Sequence, residues 1–237
     1  MGLADIHLHT KYSYDGTASV PDVLRRAKQL GLDVIAITDH DEIRGARQAL
    51  DLAPRFNIEV IPGVEITTAE GDLLAYFITD PIPPKRPLVE TVLKVREMGG
   101  VCVAAHPMSG GWGMKSLSAY AIIKALRNPQ VADTLIGIET YNGTAVDRLS
   151  NHSARLLASR LKVAQTGSSD AHTVDTIGFG VTEFEGSSAQ DLLRALRNKS
   201  TTAKRQKEWS PLKILGSWGV RYVGSLLFGW QLGKAEQ

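Results

Sequence analysis

Short apolar runs alternate with segments of helical period along most of the chain. That alternation limits the possible folds more than any other feature. The apolar runs lie at residues 4–8, 34–38, 59–66, 73–78, 101–105, 135–140, 162–166 and 178–182. Helical patterns fall between them at residues 20–30, 42–53, 88–98, 116–126, 145–160 and 189–197. Strands separated by helices favour parallel βα units, so the order predicts an α/β fold, as an open sheet or a barrel. Ser19 and Ser188 stand where helix N-caps belong, and Pro21 sits in a first helical turn. Gly31 and Gly99 stand where helices end. A chain of 237 residues suffices for one such domain with a full core.

Three stretches depart from the pattern. Residues 80–87 carry four prolines and read as a stiff loop. Residues 109–114 hold three glycines and Trp112, and read as a loop after a strand. From Lys204 onward Trp209, Trp218 and Trp230 mix with Lys and Arg. The expected division is a domain over residues 1–203 and a helical tail over 204–237. Such a tail packs on the domain or on a second subunit, or it touches a membrane surface as an amphipathic segment.

Composition removes several classes. With 43% apolar and 22% charged residues the chain is not a disordered one. A net charge of +2 gives no bulk attraction for nucleic acid. The single cysteine, Cys102, excludes a disulfide framework and a cysteine zinc site, and its apolar run makes it a core residue. No apolar run reaches the roughly 18 residues of a membrane span, and no signal-peptide pattern opens the chain, so a cytoplasmic location is expected.

The chemistry lies in the histidines. His7 and His9 end the first apolar run, and two residues apart on a strand they face the same side. Asp39 and His40 follow the second run, Glu65 falls at the end of the third, His106 follows the fifth, and Asp170 and His172 follow the seventh. Glu139 falls late in the sixth. In a βα barrel these ends gather at one face, where active sites sit. Five of the six histidines then converge with several carboxylates, a mixed donor set suited to Zn, Mn or Fe. His152 lies in a helical stretch and reads as an exposed histidine.

His7-Leu8-His9-Thr10, Thr38-Asp39-His40, Gly63-Val64-Glu65, Ala105-His106-Pro107 and Ser169-Asp170-Ala171-His172 resemble, in order, the motifs of the PHP (polymerase and histidinol phosphatase) family. The likeness spans roughly residues 3–200. It implies an α/β fold of the distorted (β/α)7 barrel type, here with a short helical C-terminal tail, and a phosphoesterase site of two or three divalent metal ions. Carried over, a first ion takes His7, His9, Glu65 and Asp170. Glu65 bridges to a second ion, which also takes His106. A third takes Asp15, His40 and His172. Many members have a histidine where Gly71-Asp72-Leu73-Leu74 presents Asp72, which reads either as a ligand or as a turn residue. Asp39 reads as an orienter of an imidazole or as a helix cap, and Glu139 as a residue behind the ligands, as one contacting a ligand, or as a structural cap.

The expected reaction is metal-dependent hydrolysis of a phosphomonoester or phosphodiester by a metal-bridging hydroxide. Asp170 and His172 are the residues expected to act in catalysis, with His172 or a metal-bound water protonating the leaving group. Arg44, Lys115 and Arg148 are cationic candidates near strand ends, and Tyr12, Tyr14 and Trp112 are candidates for stacking on a ring. The expected substrate is a small phosphorylated metabolite or a nucleotide rather than long nucleic acid. The competing reading is a catalytically silent metal-binding module with a regulatory or interaction role.

Overall fold

The computed structural model describes residues 1–110, 115–145 and 148–227. In chain order the elements begin with β1 (Gly2–Asp5), α1 (Val20–Gln29), β2 (Val34–Ile37), α2 (Arg44–Phe56), β3 (Glu59–Thr67) and β4 (Asp72–Tyr76). They continue with α3 (Leu88–Glu97), β5 (Val101–Ala104), α4 (Ala119–Ala125), α5 (Pro129–Ala132), β6 (Leu135–Asn142) and α6 (Arg148–Leu161). The remainder are β7 (Ala164–Ser168), β8 (Gly180–Phe184), α7 (Ala189–Asn198), β9 (Thr202–Arg205) and α8 (Pro211–Leu227). The strands form one sheet in the order β7-β6-β5-β4-β3-β2-β1-β8-β9.

The sheet curls until its ends nearly meet, giving a distorted α/β barrel. The hydroxyl of Thr182 on β8 accepts from the Gly167 N–H of β7 at 3.0 Å and donates to the Gly167 carbonyl at 2.8 Å. The Thr201 hydroxyl adds a bond to the Gln165 carbonyl at 2.8 Å. A Cβ at position 167 would lie 2.6 Å from the Val181 carbonyl oxygen, so this seam closes only on glycine. Core strand residues alternate between two apolar layers. Ile35 and Ile37 pack outward against α1 and α2, whereas Val34 and Ala36 join an inner set with Ile6, Leu74, Tyr76 and one face of α7.

The expectation of parallel βα units fails at two places. β4 runs antiparallel to both β3 and β5. Only a tight turn joins β3 to β4, with the Thr68 hydroxyl bonded to Gly71, and no crossover helix fits there. β8 runs antiparallel to β1, after a single 3-10 turn at Val174–Thr176. β9 was not expected. It is a short, largely exposed edge strand without an apolar alternation, and it carries the sheet two residues past position 203.

Helix ends shift for local reasons. α2 starts at Arg44 rather than 42 because Glu42 Oε1 accepts the N–H groups of Ile43 and Arg44. α2 also runs past Pro54 to an αL end at Asn57. Ser19 caps α1, and Ser188 forms a capping box with Asp191 on α7. Cys102 is fully buried and His152 is exposed. Among the described residues no helix is long and apolar enough to cross a membrane.

Candidate metal centre

Each donor reaches the centre because a strand delivers it there. Ladder pairing of β1 stops at Asp5, but the chain stays extended. Leu8 bridges to Ala171, and its carbonyl accepts from Thr38 N–H at 2.9 Å. His7 and His9 therefore project together, with ring centroids 5.1 Å apart. His40 bridges to Glu65 just beyond β2 and late in β3. His106 and Asp170 follow β5 and β7 in left-handed backbone conformations, with φ of +23° and +52°. Non-glycine residues hold such φ values only where surrounding bonds enforce them.

Glu65 is the hub. Its Oε1 lies 2.9 Å from His106 Nε2. Its Oε2 lies 3.1 Å from His7 Nε2, 3.3 Å from His9 Nε2 and 3.1 Å from His40 Nδ1. Asp170 Oδ1 faces His9 Nε2 at 3.1 Å and His7 Nε2 at 3.4 Å. Asp15 Oδ2 faces His172 Nε2 at 3.1 Å and His40 Nε2 at 3.5 Å. Potential donor atoms within 4.8 Å of one another form three groups: His7, Glu65 and His106; His7, His9 and Asp170; and His9, Asp15, His40 and His172.

Polar residues behind the rings fix their orientation. Glu139 Oε1 takes His7 Nδ1 at 3.0 Å, and the Ser13 hydroxyl contacts His9 Nδ1 at 3.3 Å. Ser116 contacts His106 Nδ1 at 3.2 Å, and the Asp170 carbonyl accepts from His172 Nδ1 at 3.0 Å. Glu139 also accepts from His106 N–H, Ser168 and Asn142, so the reading that places it behind the ligands matches its position. Asp39 differs from expectation. It orients no ring but holds Thr10, accepting from the N–H at 2.5 Å and from the hydroxyl at 2.8 Å.

The donor chemistry fits metal cations. A neutral His7 spends its one proton on Glu139, so its Nε2 lone pair meets two carboxylate oxygens. Only a proton or a cation between such acceptors makes the contact favourable. Burial opposes charge on these groups, but their mutual attraction outweighs it. Asp170, Glu65 and Glu139 hold His7 well above the ordinary histidine range. His40 is raised to about 10, with Glu65 and Asp15 overcoming its burial, and His106 to about 9, chiefly by Glu65. The carboxyls of Glu65, Asp15 and Asp170 are correspondingly lowered by the imidazoles around them.

Asp72 behaves in the opposite way. Burial and the Glu65 charge push its carboxyl up to about 6. Its Oδ1 is buried without a hydrogen-bond partner, and it lies outside the three close groups. Sequence reasoning overlooked two supports. Asp5, in an otherwise apolar strand, accepts from Ser169 N–H at 2.9 Å and Gly178 N–H at 2.8 Å, and so anchors the segment bearing Asp170. Asn142 donates to both Glu139 and Asp170, at 3.1 and 2.9 Å. An acid inside an apolar run was the available signal for Asp5.

The ring and cation candidates separate. Tyr14 stacks on His40 at 4.9 Å and is 62% exposed, whereas Tyr12 packs against the core. Arg44 is engaged by Glu42 at 2.6 Å and lies over the Tyr12 ring. Lys115 lends its carbonyl to Asp72 N–H. Trp112, Trp230 and the Arg148 side chain lie outside the described residues.

Comparison with known proteins gives a consistent setting. Residues 5–169 match the PHP domain family, and residues 148–201 match a PHP-associated family. An uncharacterized protein of Methanocaldococcus jannaschii is 36% identical over 161 residues, 64% of this chain and 88% of that protein. A 5'-3' exoribonuclease of Haemophilus influenzae is 42% identical over 64 residues, 27% of this chain and 23% of that protein. A phosphoribosyl 1,2-cyclic phosphate 1,2-diphosphodiesterase of Eggerthella lenta is 34% identical over 65 residues, 27% of this chain and 24% of that protein. This chain thus aligns with under a quarter of each of these last two relatives. Among solved structures, a two-domain protein of Bacteroides vulgatus, described as containing a predicted PHP-like metal-dependent phosphoesterase, superposes with a TM-score of 0.70. It shares 21% identity over 86% of this chain and 64% of that one, which speaks to the fold.

Proposed function

Because the chain belongs to the PHP domain family of metal-dependent phosphoesterases, we propose that it hydrolyses a phosphomonoester or phosphodiester of a small metabolite or nucleotide. The observation that carries this reading is Glu65, whose two oxygens face separate imidazole sets, as a carboxylate shared by two ions must. In this reading His7, His9, Glu65, Asp170, His106, Asp15, His40 and His172 hold two or three ions of Zn, Mn or Fe, with Asp72 completing the second position. Such ions, when bound, lower the pKa of water towards neutrality and offset charge on the phosphoryl oxygens. We assign residues 1–203 to the catalytic unit and 204–237 to the tail, with β9 carrying the sheet two residues into the latter.

The chain's own residues set the geometry. Glu139, Ser13 and Ser116 occupy the Nδ1 atoms of His7, His9 and His106, which leaves each Nε2 pointing to the centre. Asn142 holds Asp170 Oδ2, which leaves Oδ1 towards His7 and His9. The His172 side chain is 20% exposed, the most open of the five imidazoles, and we assign the leaving group to its side of the site. We assign the exposed Tyr14 ring, stacked on His40, to a base or other flat group of the substrate.

The test is a screen of purified protein with added Mn or Zn against phosphorylated metabolites, nucleoside monophosphates and short oligonucleotides. Turnover of a phosphoester supports the reading. No turnover with any first-row metal overturns it and leaves the silent module. Two substitutions refine it. Asp72→Asn is expected to lower bound metal per chain, measured by atomic emission after dialysis, and unchanged stoichiometry would make Asp72 a turn residue. Glu139→Gln sets an amide against several donors and is expected to lower activity or metal affinity by about 10–100-fold. Initial rates across a metal titration give that figure.

A further inference from the structure

The helix α8 has two unlike sides. One side meets the barrel. Ile214 is buried, and Trp218 donates from its indole N–H to the Asp15 carbonyl at 3.2 Å. The root of the helix is seated as well. Trp209 packs edge-on against Phe179 at 5.1 Å, and Lys213 Nζ lies 4.1 Å from the centre of the Trp209 ring.

The other side meets nothing among the described residues that covers it. Leu212 is 82% exposed, Leu215 49%, Val220 76% and Val223 51%. Their spacing places them on one side of the helix with Gly216 and Gly219, around which no atom lies within 4 Å of a built Cβ. A single exposed leucine is ordinary, but a continuous apolar face on one helix marks an interaction surface.

Charge identifies the occupant. The chain as a whole is nearly balanced, with 27 basic and 25 acidic residues. From Lys204 onward the sequence holds six basic residues and only two acidic ones. Lys207 and Lys213 both gather around Trp209 at the root of the helix, Lys207 lying over the Phe179 ring as well. Cationic residues on a helix with an exposed apolar stripe suit the headgroup level of an anionic bilayer. A second copy would set two cationic tails against each other. Over its described residues, Pro211–Leu227, the helix carries Lys213 and Arg221, a make-up suited to lying along such a surface.

We infer that α8 docks the protein on an anionic lipid bilayer through Leu212, Leu215, Val220 and Val223, with Lys207 and Lys213 facing the headgroups. Trp218 joins this anchor to the loop bearing Asp15, so the docked helix and the metal centre share a support. The inference stands whatever the site hydrolyses.

Co-sedimentation of the full chain with vesicles tests it. Binding is expected to phosphatidylcholine vesicles containing about a quarter phosphatidylglycerol, to fall with added salt, and to be weak on phosphatidylcholine alone. Val220→Asp with Val223→Asp should lower partitioning at least about tenfold. Lys207→Glu with Lys213→Glu should lower it by roughly tenfold or more. These residues are exposed or half-exposed, so circular dichroism should stay unchanged. No binding to the anionic vesicles overturns the inference, as does binding indifferent to both double variants. A dimer in light scattering that Val220→Asp with Val223→Asp dissociates would assign the face to a second copy instead.

Discussion

Replacing His7 and His9 together by alanine is expected to abolish phosphoester turnover while the far-UV circular dichroism spectrum stays near that of the parent. Both rings are buried, yet neither belongs to the apolar core. Each directs Nε2 at Glu65 and Asp170. The double substitution leaves those carboxylates facing each other without an imidazole between them. The strands hold through backbone ladders and the apolar layers, which neither ring enters. Metal assistance worth about 4 kcal/mol corresponds to roughly a 10³-fold change in rate, so a loss of at least that size is expected. Initial rates on the best substrate, with metal content on the same sample, provide the measurement. Turnover within tenfold of the parent would remove this pair from the reaction.

Glu65→Gln is expected to cost as much through one atom. The side chain keeps its length and shape, so packing survives. One oxygen becomes an NH2, which donates where an acceptor stood, and the negative charge facing His7, His9, His40 and His106 disappears. We expect a fall of about 10³-fold or more in kcat/KM, together with a larger loss of bound metal than Asp72→Asn causes. Retained activity with two ions bound would mean that the ions do not share this carboxylate.

The positions of the donors were readable from sequence because a polar residue ending an apolar run has few roles. His7, His40, Glu65, His106 and Asp170 all follow that rule. The antiparallel β4 was readable only in part: Asp72 reads as a turn residue there, but the apolar run that follows does not report its direction. β9 escaped because its sequence, Thr-Ala-Lys-Arg, has no apolar period. Asp39 sits beside a histidine in sequence but bonds to Thr10, and adjacency along the chain does not report which side chain meets which. Asn142 escaped because its importance lies in two bonds, one to Glu139 on its own strand and one to Asp170 beyond β7.

The seam at Thr182 and Gly167 bears on how the chain stays shut. His7 and His9 follow β1, and Asp170 and His172 follow β7, while β8 lies between those two strands where the cylinder closes. Donors on the two flanks of the seam therefore approach only after the cylinder is complete. An ion held by His7, His9 and Asp170 would act as a clasp across that seam. Its binding energy is then also energy against unzipping, and no excised fragment of the chain can inherit its affinity.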